Sequence, residues 1–418
     1  MPPFTARTEL ISDEMRRPFL LLTALAAFSV GCGNDEPVGD GDVTFYKDIL
    51  PLAEQHCSGC HRSGSLAIAW PESVELARQN SMAIAEAVRD RVMPPWLASE
   101  RCEPLSGSRA LTDQEIATFV RWNELGAPAG NPADTTPTKR MLPPGLARVD
   151  TELVTPPYTP AVDGDDWHCV VVNPQLAEPR DLIGIEIEPT LRERAHHVLV
   201  YRVEQAGFDP APAPAACETL GSAATALIGS WVLGTPPTQF PSGTGITLRA
   251  GDKIMVESHY AARAPDGKPP PADEITVRLQ FSEQPVSRAA GIIAIGMFAF
   301  TVPPYSRNFK LSVDSTASGL GLTEGATVWG LTPHLHARGR TLGVARTRGS
   351  EEACLLEVPR WDDRWQEYFF FSNPEGMRVE ASDVLHLTCS WDNPTGEPVY
   401  FGPTAHDEMC LSYLYVTN

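Results

Sequence analysis

Residues 195–203 read AHHVLVYRV. After its two histidines the stretch is β-branched and aromatic, the composition of a strand packed against a core. Successive side chains on a strand point to opposite faces. His196 and His197 therefore diverge on a regular strand and can share a partner only at an edge or a distortion. Runs of the same kind recur down the chain: HCVVVN (168–173), DLIGIEIEP (181–189), KIMVESHYA (253–261), ITVRLQFSE (275–283), FKLSVDS (309–315), ATVWGL (326–331), VLHLTCSW (384–391) and LSYLYV (411–416). Pro, Gly and Asp separate them, as turns separate the strands of a sandwich. The stretch is too long for one sandwich, so two all-β sandwiches are expected, at 151–285 and 286–418.

Ahead of them the pattern changes. Residues 44–130 read as a small all-α domain. SVELARQNSMAIAEAVRDRV (73–92) has helical spacing throughout. LTDQEIATFVRWNELGAP (111–128) carries a capping box in Thr112 and Glu115, one apolar face of Ile116, Phe119 and Val120, and a terminating Gly126. Residues 131–150 form a proline-rich linker. Within the helical part lies CSGCH (57–61). Two thiols at this spacing can add to the vinyl groups of a haem, and the next histidine can ligate its iron. Cys57 and Cys60 are the thioether positions and His61 the proximal ligand. Met93, in RVMPPW (91–96), is the candidate sixth ligand, on a loop stiffened by two prolines. Core filling is the alternative role for that methionine. The domain is thus expected to be cytochrome c-like, with one covalent haem c.

MRRPFLLLTALAAFSVGC (15–32) is a basic start, a short apolar run and small residues before a cysteine. It reads as an export signal, too short to span a bilayer. Cys32 is the expected lipidation site of a lipoprotein-like box, with simple cleavage nearby as the alternative. Residues 33–43 are a flexible tether. The chain is then an exported protein, periplasmic or at the cell surface, held to a membrane through a lipid. Of its 418 residues 53 are acidic and 33 basic, giving a formal charge of −20. That balance excludes binding to a nucleic-acid backbone, which needs a basic face.

The remaining histidines cluster by motif. ESHYA holds His259, TPHLHARGR (332–340) holds His334 and His336, and DEMCLSY (407–413) holds Met409. Residues two apart on a strand share a face, so His334 and His336 can reach one ion. Two imidazoles and a thioether favour copper cycling through Cu(I) over zinc. Each residue alone is more often an ordinary core or surface side chain. Taken together, the order HH, HY, HxH, then DEMC resembles the copper type II, ascorbate-dependent monooxygenases, the family of peptidylglycine α-hydroxylating monooxygenase and dopamine β-hydroxylase. SWVLGTPPTQFPSGTGITLRAGDKIMVESHYA (230–261) is also similar to that family's stretch before its HY histidine.

The resemblance covers roughly residues 150–418. It implies two jelly-roll-like sandwiches with one copper ion each. His196, His197 and His259 would form an electron-storing site. His334, His336 and Met409, beside Tyr413, would form the site of oxygen activation and C–H hydroxylation. It also implies the disulfides Cys389–Cys410 and Cys169–Cys217. Cys102 and Cys354 are left over, either free or paired across domains. There are departures. Thr332 and Leu411 stand where the peptide-amidating member has Arg and Asn, which argues against a peptide carboxylate as substrate. Glu257 stands where a Gln is common, either tuning a nearby copper or simply solvated. His168, His386 and His406 read as ordinary. The expected activity is hydroxylation of a small organic molecule with O2. The electron donor is a redox protein or small reductant, and the fused haem relays the electrons. A non-catalytic electron-transfer lipoprotein with copper- or partner-binding sandwiches is the alternative.

Overall fold

The computed structural model describes residues 43–63, 68–136, 145–161, 166–192, 194–204, 217, 224–232, 235–260, 268–402 and 406–418. The expected export signal, Cys32 and nearly all of the expected tether lie outside the described residues. The described chain is mostly β-sheet with few helices. Helices and helical turns fall between Phe45 and Asp134, and strands between Thr151 and Thr417, with one further 3-10 turn at Ser318–Leu320. Among the described residues no helix is long and apolar enough to cross a membrane.

The helix Asp113–Glu124 starts as its residues dictate. Thr112 Oγ1 accepts from Glu115 N, and the Glu115 carboxylate accepts from Thr112 N at 2.7 Å. Phe119 and Trp122 are its fully buried residues. They pack edge-on to Trp70 and tilted against Phe45, and Trp122 Nε1 donates to Pro128 O at 3.1 Å. Ile116 and Val120 are only half-buried, so the inner face is rotated toward Trp122. The 73–92 run is not one helix. It breaks at Asn80 into Val74–Gln79 and Ser81–Arg89. The Asn80 side chain donates to Leu76 O at 2.7 Å, taking a helical carbonyl as its own partner.

Two four-stranded antiparallel sheets each cover part of one larger sheet. The first small sheet runs Asp166–Val172, Lys253–Tyr260, Ala195–Val203, Ala224–Trp231. The second runs Ser306–Thr316, Val384–Asn393, Gly339–Arg348, Glu351–Val358. The larger sheet has ten strands and passes through both halves of the β region. Its joint is a parallel pairing of Thr244–Leu248 with Arg288–Gly296. The two halves of the β region, on either side of residue 285, share this sheet. Apolar residues of each half form a core, and Trp329, Tyr368 and Tyr415 of the second half pack into the first core.

The helical part is fastened to the second half. Leu97 and Ala98 enter its core. Ser99 N donates to Glu357 O at 2.7 Å, Ser106 N to Phe370 O at 2.8 Å, and Ser372 N to Pro104 O at 2.8 Å. Cys102 and Cys354, the leftover pair, are bonded across this contact. Cys169–Cys217 and Cys389–Cys410 are the other disulfides among the described residues. Three disulfides in one chain fit an exported protein, since the cytosol keeps thiols reduced.

A bond closing so long a stretch constrains the unfolded chain strongly. Cys102→Ala with Cys354→Ala should lower unfolding free energy by about 2–4 kcal/mol in denaturant titration. A midpoint equal to the parent's would show that the bond adds nothing to stability.

Candidate metal centres

His197 and His259 face each other across neighbouring strands. The register slips between Ala195, opposite Tyr260, and His197, opposite His259, leaving His196 as an extra residue. Such a bulge re-aims the inserted side chain. Here it brings both adjacent imidazoles to one side. His196 Nδ1 lies 3.3 Å from His197 Nδ1. One ring nitrogen from each of His196, His197 and His259 falls within 4.8 Å of the others. Trp167, on the outer strand, stacks on His259 at 4.1 Å and meets His197 edge-on. His197 is buried and its Nε2 has no hydrogen-bond partner among the described residues. Burial, and then the neighbouring imidazoles, drive its pKa well below the usual histidine range. Three converging imidazoles, with His197 held neutral by burial, have the chemistry of a Cu or Zn ligand set.

The second cluster grows from the end of the strand Thr327–His334. Its partner Phe369–Phe370 pairs only as far as Leu331. Beyond that the strand has one neighbour, which is where Pro333 is tolerated. His334 lies opposite Leu411 in the antiparallel register. Asp407 and Glu408 bond His336 and so draw the chain just before that strand, Met409 included, to the same corner. His336 Nδ1 is 3.0 Å from Asp407 O, and His336 N donates to Glu408 Oε2 at 3.0 Å. The two imidazole planes are nearly perpendicular, 5.4 Å apart, with the Tyr413 ring 6.3 Å from His334.

The protonation of these rings follows from their partners. Gln366 Nε2 donates to Asp363 O at 3.0 Å, which turns its Oε1 toward His334 Nδ1 at 2.6 Å. An amide oxygen can only accept, so His334 carries its proton on Nδ1 and its lone pair on Nε2. The Asp407 carbonyl sets the same tautomer at His336. Carbonyl-oriented imidazoles of this sort are typical of metal ligands. Glu408 anchors the corner, also accepting from Arg338 N at 2.6 Å and Trp391 Nε1 at 3.1 Å. Burial pushes its carboxyl up to about 7 in spite of these bonds. Cys410, next after Met409, is tied to Cys389 on the facing sheet. The two clusters sense each other: His334 and His336 contribute to the depression at His197. Tyr413 is pushed up to about 12, mainly by burial and then by Glu257. Glu257 itself is driven up to about 7 by burial, so it is not a solvated carboxylate.

In the helical part, a cavity of about 310 Å3 is lined by Cys57, Cys60, His61, Met93, Trp70 and Trp365, among others. That size is within the roughly 300–1,000 Å3 of cofactor pockets. Its other lining residues are largely apolar. Burial, and then the neighbouring Cys60, push the Cys57 thiol up to about 12. His61 Nδ1 sits 2.9 Å from Ile68 O, which leaves the lone pair on Nε2. Two thiols, an oriented imidazole and a thioether thus line one apolar cavity. His56 is engaged by Glu115 at 3.4 Å.

Trp167, Gln366, Trp361, Trp365 and the anchoring role of Glu408 were not readable in advance. No motif surrounds the aromatic and acidic residues of 359–368. His168 stacks on Tyr158, and His386 bonds Asp314 and Thr347, as ordinary histidines do.

The buried neutral state of His334 has a pH signature. Its folded pKa is about 3 against 6.5 unperturbed, through burial and then the neighbouring His336. Between those values the unfolded chain binds the extra proton, so the fold loses stability as pH falls through that window. In the metal-free protein, His334→Gln should lose less stability than the parent from about pH 6 to about pH 4. Parallel denaturant midpoints would count against a neutral His334.

Among solved structures, the chain is similar to the major capsid protein P2 from Bacteriophage PM2, with 10% identity over 64% of this chain and 97% of that one, at a TM-score of 0.28. It is also similar to the CUB1-EGF-CUB2 domain of human MASP-1/3, with 11% identity over 63% and 98%, at a TM-score of 0.15. Scores this low carry no argument. Residues 288–417 match the copper type II ascorbate-dependent monooxygenase, C-terminal domain, a span that holds His334, His336, Met409 and Tyr413 and supports a relationship to that family.

Proposed function

We propose that this chain is a copper-dependent monooxygenase that hydroxylates a C–H bond of a small organic substrate with O2. Its electrons pass through a haem c in a cytochrome c-like helical domain. The support comes above all from one observation: His334 and His336, inside the family-matched span, both keep the Nε2 lone pair because Gln366 and Asp407 hold Nδ1. His334, His336 and Met409 would hold one copper, and His196, His197 and His259 the other. Cys57, Cys60, His61 and Met93 would hold the haem.

Bound copper supplies one-electron cycling and oxygen activation, and bound haem a one-electron store. The residues do the rest. Gln366 and Asp407 fix ring orientation and tautomer at the catalytic pair. Glu408 holds the backbone of His336 and Arg338, so that corner does not shift as charge changes. Met409 offers a soft donor that favours Cu(I). The bulge at His196 gathers three imidazoles where a regular strand would offer two. Trp167 covers that set from water. Tyr413, held protonated by burial, keeps a hydroxyl that can donate a hydrogen bond at neutral pH. Export and a lipid anchor at Cys32 complete the reading, with an external redox protein or small reductant as donor.

Elemental analysis of purified protein should give two coppers and one haem iron per chain. Met409→Leu should lose one copper and nearly all hydroxylation under a chemical reductant, with the haem spectrum untouched. A parent without copper, or a Met409→Leu variant with full activity, would leave only an electron-transfer or binding role.

A further inference from the structure

One segment touches two of the three candidate centres. Residues 359–368, PRWDDRWQEY, join the strand Glu351–Val358 to Phe369–Phe370. Trp365 lines the cavity that holds Cys57, Cys60, His61 and Met93. The next residue, Gln366, is 3% exposed and bonds His334 Nδ1 at 2.6 Å. Trp361 Nε1 donates to His336 O at 3.0 Å. The segment is pinned to the helical part as firmly. Arg360 donates to the carbonyls of Asp90 and Arg91 at 3.3 and 3.0 Å. Glu367 takes two bonds from Arg109, itself a lining residue of the cavity. Arg109 also lies over the Trp96 ring, 5.1 Å from its centroid.

We infer that Trp365 and Gln366 form the route by which single electrons leave the cavity for the His334, His336 and Met409 centre, which is therefore their first acceptor. This rests on the haem and copper assignments above. Electron tunnelling weakens far less along covalent and hydrogen bonds than across gaps. Here an indole at the cavity wall, one peptide link, one side chain and one short hydrogen bond lead to a ligand ring. One electron leaves the iron, which passes from ferrous to ferric. One arrives at copper, which passes from Cu(II) to Cu(I). No bond in the protein is made or broken, and the His334 Nδ1 proton stays where it is. An external one-electron donor restores the iron, a photogenerated flavin semiquinone in the test below. Trp365 and Gln366 are positioning residues for this transfer and meet no substrate in it.

The test uses the full chain loaded with haem and Cu(II). A flash reduces the haem, its reoxidation is followed optically, and Cu(II) is counted by freeze-quench electron paramagnetic resonance. Trp365→Leu and Gln366→Leu should each slow haem reoxidation about tenfold, or roughly 1.4 kcal/mol on the barrier. Haem potential should match the parent's in both, and copper content and melting temperature should match it in Trp365→Leu. Trp365→Phe, which keeps a ring at the wall, should restore most of the rate. His259→Ala, which spoils the other copper set, should leave haem reoxidation intact. Unchanged rates in both leucine variants, or lost reoxidation in His259→Ala, would overturn the route while leaving the function standing. A parent lacking covalent haem or copper would remove the function and the route together.

Discussion

Three parallel residue pairs, Arg288–Thr244, Ala289–Gly245 and Ala290–Ile246, hold the two halves of the β structure in one register. Without them each sandwich would hang on a loop and its histidines would face whatever the loop allowed. With them the strand Leu411–Thr417, hydrogen-bonded to Arg288–Gly296, becomes the spine of the shared sheet. Tyr415 on that strand reaches into the first core and meets Thr244 Oγ1 at 2.9 Å. Pro333 and His334, on the neighbouring strand, pair with its Ser412 and Leu411. Cross-talk between His197 and the pair His334 and His336, and between Glu257 and Tyr413, follows from this fixed joint.

Much of this was legible in residue patterns, and the failures have identifiable causes. Strand runs and the Thr112–Glu115 cap were readable because alternation and capping are local. The break at Asn80 was missed because helical spacing says nothing about one amide side chain competing for Leu76 O. The shared sheet was missed because a parallel pairing between Thr244 and Arg288 leaves no periodic trace. At the candidate centres the histidines stood out by motif, and a distortion at His196–His197 was recognisable as a requirement. Gln366 and Trp167 were not recognisable, since what they contribute is orientation and cover, which depend on neighbours distant in the chain. Cys102 and Cys354 showed only as a remainder after the other cysteines had been assigned.

A common device runs through the candidate ligands. His61, His334 and His336 each turn Nδ1 toward an oxygen: Ile68 O, Gln366 Oε1 and Asp407 O. Each is thereby fixed as one tautomer before anything binds. Preset rings lose little freedom on taking a ligand, and burial keeps His334 neutral. The cost is a fold carrying buried imidazoles at His197 and His334 that resist protonation, offset by the large apolar cores around them.

The bond between Cys102 and Cys354 shapes how the helical part can work. Multidomain redox proteins often let a carrier swing on a tether between a loading station and an unloading one. Here the helical part is tied down beside Glu357 and Phe370. Anything housed in the cavity must be charged and discharged in place, by visitors arriving at its outer rim. Turnover in such an arrangement is insensitive to solvent viscosity at the internal step and sensitive to it only when the donor docks.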